Sequence, residues 1–214
     1  MKLEIAKQIA ERVIAGDIDE VTSLTKAAIA QKAPIPDILE QGFVTGLDVI
    51  GEKFGAGEIF LPEMLMAAMA VKSGMDVLRP MLTEFGVKVK GTIVAGTVEG
   101  DVHDIGKNLV CMMCEGAGFR VINIGEDTPA EKFIKAAIEN NADIIAMSAL
   151  LSTTRENMKG IIQEIRASEL KNGIKVMVGG APLTQDFADS IGADGYAPDA
   201  GAAVKKAKEL LGIG

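Results

Sequence analysis

The sequence predicts a bundle of four helices followed by an α/β domain with a five-stranded parallel sheet, and three observations predict it. Up to about residue 85, apolar residues recur at three- and four-residue spacing. Within that stretch Gly16, Pro34 with Pro36, and Gly55 with Gly57 fall between the periodic segments. From Gly91 the period changes, and short β-branched runs alternate with helical segments, as in βαβ units.

Taken in order, the first helix carries Ile5, Ile9 and Val13 on one stripe and stops at Gly16. Asp17 or Asp19 caps a second helix bearing Val21, Leu24, Ala28 and Ile29. Ala33-Pro34-Ile35-Pro36-Asp37 is a rigid break. The third helix holds Leu39, Phe43, Leu47, Ile50 and Phe54, and Gly55-Ala56-Gly57 ends it. A fourth starts near Pro62, a good first-turn residue, and runs through Met64, Leu65, Ala68, Met75, Leu78 and Met81 to Gly86. Val87 to Lys90 reads as a short linker, which divides the chain into domains 1–86 and 91–214. Strands are expected at Thr92 to Ala95, Arg120 to Ile124, Ile144 to Met147, Lys175 to Val178 and near Gly195-Tyr196. Thr128-Pro129-Ala130-Glu131 has the form of a capping box, and Asp186 or Asp199 suits the starts of later helices.

Composition removes several function classes. The 22 Lys and Arg against 30 Asp and Glu leave a net charge of −8, which argues against nucleic acid or an anionic membrane as partner. No apolar stretch is long enough to span a bilayer and the N-terminus alternates charge with apolar residues, so a cytoplasmic protein is expected. Cys111 and Cys114 lie inside the helix after the first strand and read as buried core thiols rather than a redox pair. With His103 the single histidine, any site built from several imidazoles is excluded.

Ligands of open parallel sheets bind beyond the carboxyl ends of the strands. Three such ends here are rich in small residues and hydroxyls: Gly96 to Lys107, Ser148 to Thr154, and Gly179-Gly180-Ala181-Pro182. They suit a large flat or extended ligand. In the first of them Asp101-Val102-His103 precedes a helix. A carboxylate on one ring nitrogen fixes the tautomer and leaves the other nitrogen for a metal or a proton. On position alone, a surface histidine beside a turn reads equally well.

Asp101-x-His103-x-x-Gly106, then Ser148-x-Leu150 after 41 intervening residues, then Gly179-Gly180 after 28 more, resembles the cobalamin-binding signature of methionine synthase and of the corrinoid proteins of methyltransferase systems. The segment Gly51 to Met64 is similar to the helical cap of the same families, so the resemblance covers nearly the whole chain. It implies a flavodoxin- or Rossmann-like binding domain and a cobalamin bound base-off, with His103 as the lower axial ligand of cobalt. Asp101 would orient that imidazole, and Thr154 matches the serine that completes the family's relay. Ser148, Leu150, Gly106, Gly179 and Gly180 would receive the benzimidazole tail, and Phe54, Leu61 and Met64 would cover the corrin's upper face. Without the resemblance those three read as ordinary bundle core.

The function so implied is a corrinoid methyl carrier in one-carbon metabolism, cycling between Co(I) and methyl-Co(III) and turning over no substrate alone. Its partners would be a substrate-specific methyltransferase, an acceptor methyltransferase using a folate or a thiol, and a reductive activator. A cobalamin-dependent sensor and the cobalamin subunit of a carbon-skeleton mutase are the alternatives. Neither an added signalling domain nor the capless mutase pattern matches this chain.

Overall fold

The apolar stripe of the first segment folds as α1 (Lys2–Ile14), with Ile5, Ile9 and Val13 buried, in a computed structural model that describes residues 2–84 and 89–213. Gly16 turns the chain at φ 68°, and Asp17 then caps α2 (Ile18–Ala30) by accepting the Glu20 N–H at 3.1 Å. The choice between Asp17 and Asp19 thus falls to Asp17.

Helix begins inside the expected break, with Pro34 at the cap of α3 (Ile35–Asp37), and the third expected helix follows as a π-helical run over Ile38–Val44 and then α4 (Thr45–Gly55). Close approach to α1 accompanies the change of pitch. A Cβ on Gly42 would lie 3.1 Å from Ile9 Cγ2, and one on Gly46 2.7 Å from Val13 Cβ. The wider winding turns Ile38, Leu39, Gly42, Phe43 and Val44 all inward, more than one α-helical stripe would bury. The fourth helix, α5 (Leu61–Glu84), continues through Pro80. Its inner stripe is Met64, Ala67, Ala68, Val71 and Leu78, all fully buried. Of the expected linker Val87 to Lys90, Val87 and Lys88 lie outside the described residues, as does Gly86, the expected end of the fourth helix.

Two compact units result, one formed by Met1–Val89 with Met112–Gly118 and the other by Lys90–Cys111 with Phe119–Gly214. The second contains a five-stranded sheet of order β2-β1-β3-β4-β5, every pair parallel. Its strands are β1 (Thr92–Thr97), β2 (Arg120–Asn123), β3 (Ile144–Ser148), β4 (Lys175–Gly179) and β5 (Gly195–Ala197). Helices α6 (Ile105–Gly116), α7 (Ala130–Asn140), α8 (Ser152–Arg155), α9 (Asn157–Ala167), α10 (Gln185–Ile191) and α11 (Ala200–Leu210) connect and follow them. β1 is buried along its whole length, which explains its unbroken apolar run. Register puts Val94, Ile145 and Val176 abreast, in a core with Phe133 of α7 and Met158, Ile162 and Ile165 of α9.

Two helix starts differ from expectation. Thr128 is buried and its hydroxyl donates to the Glu126 carbonyl, so no capping box forms and Pro129 occupies the cap position of α7. Thr184, not Asp186, caps α10 by accepting the Phe187 N–H, while Asp199 caps α11 through the Ala202 N–H. Both free carboxylates and hydroxyls can cap, and the local turn decides which one reaches. Cys111 and Cys114 are buried in α6 without a disulfide. Among the described residues no helix is long and apolar enough to cross a membrane.

Beyond β4 the chain makes a close turn at Gly180, φ 134°, where an added Cβ would stand 1.9 Å from the Ala149 carbonyl oxygen. Gly180→Ala is therefore expected to destabilise the protein by about 2 kcal/mol or more, read as a lowered urea midpoint. Gly106→Ala, in the first turn of α6 where a Cβ would meet nothing within 4 Å, should not lower the midpoint of the ligand-free protein.

Candidate functional site

β1 and β3 are neighbours whose following connections run to opposite sides of the sheet, since β2 flanks β1 and β4 flanks β3. A crevice opens at such a switch point, beyond the strands' carboxyl ends. Asp101, His103 and Thr154 all lie there, although 53 positions separate Asp101 from Thr154.

Asp101 is 0% exposed, and its two oxygens are fully engaged. Oδ1 accepts the His103 backbone N–H at 3.0 Å and lies 2.8 Å from His103 Nδ1. Oδ2 accepts the Thr154 hydroxyl at 2.6 Å and the Leu150 N–H at 2.8 Å, with the Leu151 N–H farther off at 3.4 Å. Burial by itself would raise the Asp101 pKa. The hydrogen bonds from Thr154, from the His103 and Leu150 backbone and from the His103 ring outweigh it, and hold the carboxyl well below the usual carboxylate range. An ionised carboxylate only accepts, so Nδ1 must carry the ring proton of neutral His103. Nε2 is then left with a free lone pair, and no described residue engages it. The imidazole is 46% exposed, so that lone pair is accessible.

The loop that presents His103 is held from several directions. Thr97 Oγ1 donates to the His103 carbonyl at 3.1 Å. Asp127 accepts the Gly100 N–H at 2.7 Å and donates its own N–H to the Asp101 carbonyl at 3.0 Å. Asn157 donates to the Glu99 carbonyl at 2.8 Å. None of these was legible in the sequence as part of a site, because each acts through a main-chain group or comes from a distant element. The Leu150 amide belongs with them.

The remaining expected residues divide. Ser148, at the end of β3, is half-buried, and its hydroxyl is engaged by no described residue. Gly106 is exposed in the first turn of α6, facing open space. Leu150 is exposed, as are Val102, Ile105 and Leu151 in the two loops that carry His103 and Thr154. Gly179 and Gly180 stand beyond or at the end of β4, but a Cβ there would meet the Ala197 and Ala149 carbonyls, so the protein's own backbone already requires glycine at Gly180. In the helical unit Phe54 is half-buried and Leu61 exposed. Met64, expected either to cover the corrin or to belong to the bundle core, is 0% exposed on the inner stripe of α5, while Phe60, Leu61, Met66 and Met69 are exposed.

Chemically, the arrangement offers one neutral imidazole nitrogen with a fixed lone pair among exposed apolar side chains. No group of three His, Cys, Asp or Glu suited to a metal ion occurs among the described residues. A metal at Nε2 would have to bring most of its own ligands. The open space at Gly106 and the unengaged Ser148 hydroxyl fit a large organic group that does so.

A B12 binding domain profile matches residues 91–205, and a second profile, also described as a B12 binding domain, matches residues 5–79. The chain is 44% identical over 211 residues to the dimethylamine corrinoid protein of Methanosarcina barkeri, covering 98% of this chain and 99% of the relative. Among solved structures it resembles a cobalamin-binding protein from Desulfitobacterium hafniense, with TM-score 0.81, 28% identity and coverage of 96% and 98%. It also resembles a chain of the methanol:cobalamin methyltransferase complex from Methanosarcina barkeri, with TM-score 0.78, 32% identity and coverage of 98% and 80%.

Asp101 makes stability depend on pH in a definite direction. A carboxyl whose folded pKa lies below its unfolded value adds stability at every pH above the unfolded value, and that contribution fades as pH falls toward the folded one. Wild-type unfolding free energy should therefore decline below about pH 4. Asp101→Asn should be less stable at pH 7 and show a shallower acid decline, as measured by urea titrations across pH.

Proposed function

The chain belongs to the B12-binding corrinoid proteins, and on that premise we propose that it is the methyl carrier of a multi-component methyltransferase system. The observation that carries this reading is the locked imidazole: Asp101 holds Nδ1 at 2.8 Å and Nε2 is left open. When bound, the corrinoid supplies a cobalt that alternately accepts and releases a methyl group, passing between Co(I) and Co(III).

The chain's own residues hold and tune that group. His103 would hold the cobalt through Nε2, in place of the cofactor's own benzimidazole. Asp101 keeps the ring in the Nδ1–H tautomer and strengthens its donor nitrogen. Thr154 donates its hydroxyl to the outer oxygen of Asp101 and so helps to keep the carboxylate ionised. Ser148 offers its hydroxyl to the tail, and Gly106 leaves room for it, with Gly179 and Gly180 beside it. Leu150, with Val102, Ile105 and Leu151, gives apolar contact to a flat macrocycle. Residues 91–214 are assigned the binding role and residues 1–86 the cap, in which Phe54 and Leu61 are the accessible candidates for covering the corrin's upper face.

Donor specificity lies in a separate substrate methyltransferase. The names of the similar proteins support a methylamine or methanol as donor. An acceptor methyltransferase then takes the methyl group to a folate or a thiol, and a reductive activator restores cobalt lost to oxidation.

The ligand assignment is tested by loading the full chain with cobalamin and recording the Co(II) spectrum with nitrogen-labelled histidine. About one cobalamin per chain should bind, with superhyperfine coupling from histidine. His103→Ala should abolish that coupling while cobalamin remains bound; coupling from the benzimidazole in the wild type would refute the reading. A second expectation concerns turnover: the loaded chain alone should release no demethylated product from methylamines or methanol over many hours. Product should accumulate only once both methyltransferases and a reductant are added.

A further inference from the structure

Lys107 is 4% exposed, yet no carboxylate pairs with it among the described residues. Its ammonium donates to Asn108 Oδ1 at 2.6 Å and to Asn123 Oδ1 at 2.8 Å, both neutral amide oxygens. A cation taken out of water and given only neutral acceptors is a net cost to the fold. Each acceptor is itself aimed by further bonds. Asn123 Nδ2 donates to Asn108 Oδ1 at 2.8 Å, and the Gly125 N–H donates to Asn123 Oδ1 at 3.1 Å. Asn108 Nδ2 donates to Asp104 Oδ2 at 2.7 Å.

This network joins two elements with no ladder bond between them: the first turn of α6 and the end of β2. Asp104, the residue after His103, is its last member. On the other side of β1, Asp101 is tied to the β3 loop by Leu150 and Thr154. The short span carrying His103 is therefore anchored at Asp101 toward β3 and at Asp104 and Lys107 toward β2. Its imidazole is about half in solvent, and the bond from Nδ1 to Asp101 is what aims it.

We propose that Lys107 is a positioning residue for His103: through Asn108 and Asn123 it pins α6 to β2 and so keeps the imidazole on Asp101 with Nε2 facing outward. The purpose of this rests on the ligand reading of His103, but the positioning itself is readable without any cofactor. With one histidine in the chain, ring-nitrogen labelling gives one unambiguous set of imidazole signals.

The experiment measures exchange of the His103 Nδ1–H with water by NMR in the ligand-free full-length protein. Lys107→Met should speed that exchange by about tenfold, the mark of local opening, with a urea midpoint no lower than wild type. Asn123→Ala, which keeps the lysine and removes one acceptor, should do the same, and Asn123→Asp, which restores an oxygen there, should return protection. Unchanged exchange in both Lys107→Met and Asn123→Ala would overturn the proposal. So would faster exchange that merely tracks a lower midpoint, since that is a general structural role. Loss of protection in Lys107→Met, in a protein whose Co(II) form shows no histidine coupling, would uphold the positioning and refute only the ligand reading.

Discussion

One buried anion organises the binding end of the sheet. The Asp101 carboxylate has no contact with solvent, so every lone pair must be met from within the protein. The donors that meet it come from two connections: the β1–α6 loop supplies the His103 backbone and ring, and the β3–α8 turn supplies Leu150, Leu151 and Thr154. Satisfying the charge thus requires the two loops to be brought together in one arrangement. Hydrogen bonds to charged groups contribute about 1.5–3 kcal/mol each, and leaving such a group unpaired costs more. The tautomer of His103 is a by-product of the same requirement, because a carboxylate can only accept.

The loop that bears Asp101 and His103 leaves the sheet and has little ladder of its own, so its main-chain groups are met from its neighbours. Val98 N–H donates to the Ser148 carbonyl, and Gly100 and Glu99 are held by Asp127 and Asn157. Buried or half-buried backbone polar groups need such partners. The outcome is a loop placed by β2 on one side and β3 on the other, which suits a residue that must present one nitrogen in a constant direction.

Exposed apolar side chains mark what the protein leaves for something else to cover. In the α/β unit Val102, Ile105, Leu150 and Leu151 are exposed in the loops that hold His103. In the helical unit Phe60, Leu61, Met66 and Met69 are exposed. Leaving large apolar groups in water forgoes about 1.5–3 kcal/mol apiece, so a cluster of them beside the open His103 nitrogen is more informative than a scattered one. On α5 only three positions separate an exposed Leu61 from a buried Met64.

The element order, the parallel sheet and the residue types of the site were determined by the sequence itself. Periodicity of 3.6 or 2, β-branched runs and turn residues are local properties, so the bundle, all five strands and Asp101, His103 and Ser148 at strand ends were legible. The π-helical winding over Ile38–Val44 was not, because it depends on how closely Gly42 and Gly46 approach α1. Neither were the caps Thr184 and Pro129, which follow from the turn that precedes each helix. The Leu150 amide, the Asp127 clamp and the buried Lys107 were also invisible, since backbone donors have no letter of their own and partners 15 to 50 positions apart meet only when the sheet is built. Residue type follows from local chemistry, whereas burial and hydrogen-bond partnership are properties of three-dimensional closure. Asp101 and His103 are two apart in the chain and could be paired on paper, but the burial of Asp101 that fixes the imidazole comes from the strands and loops around it.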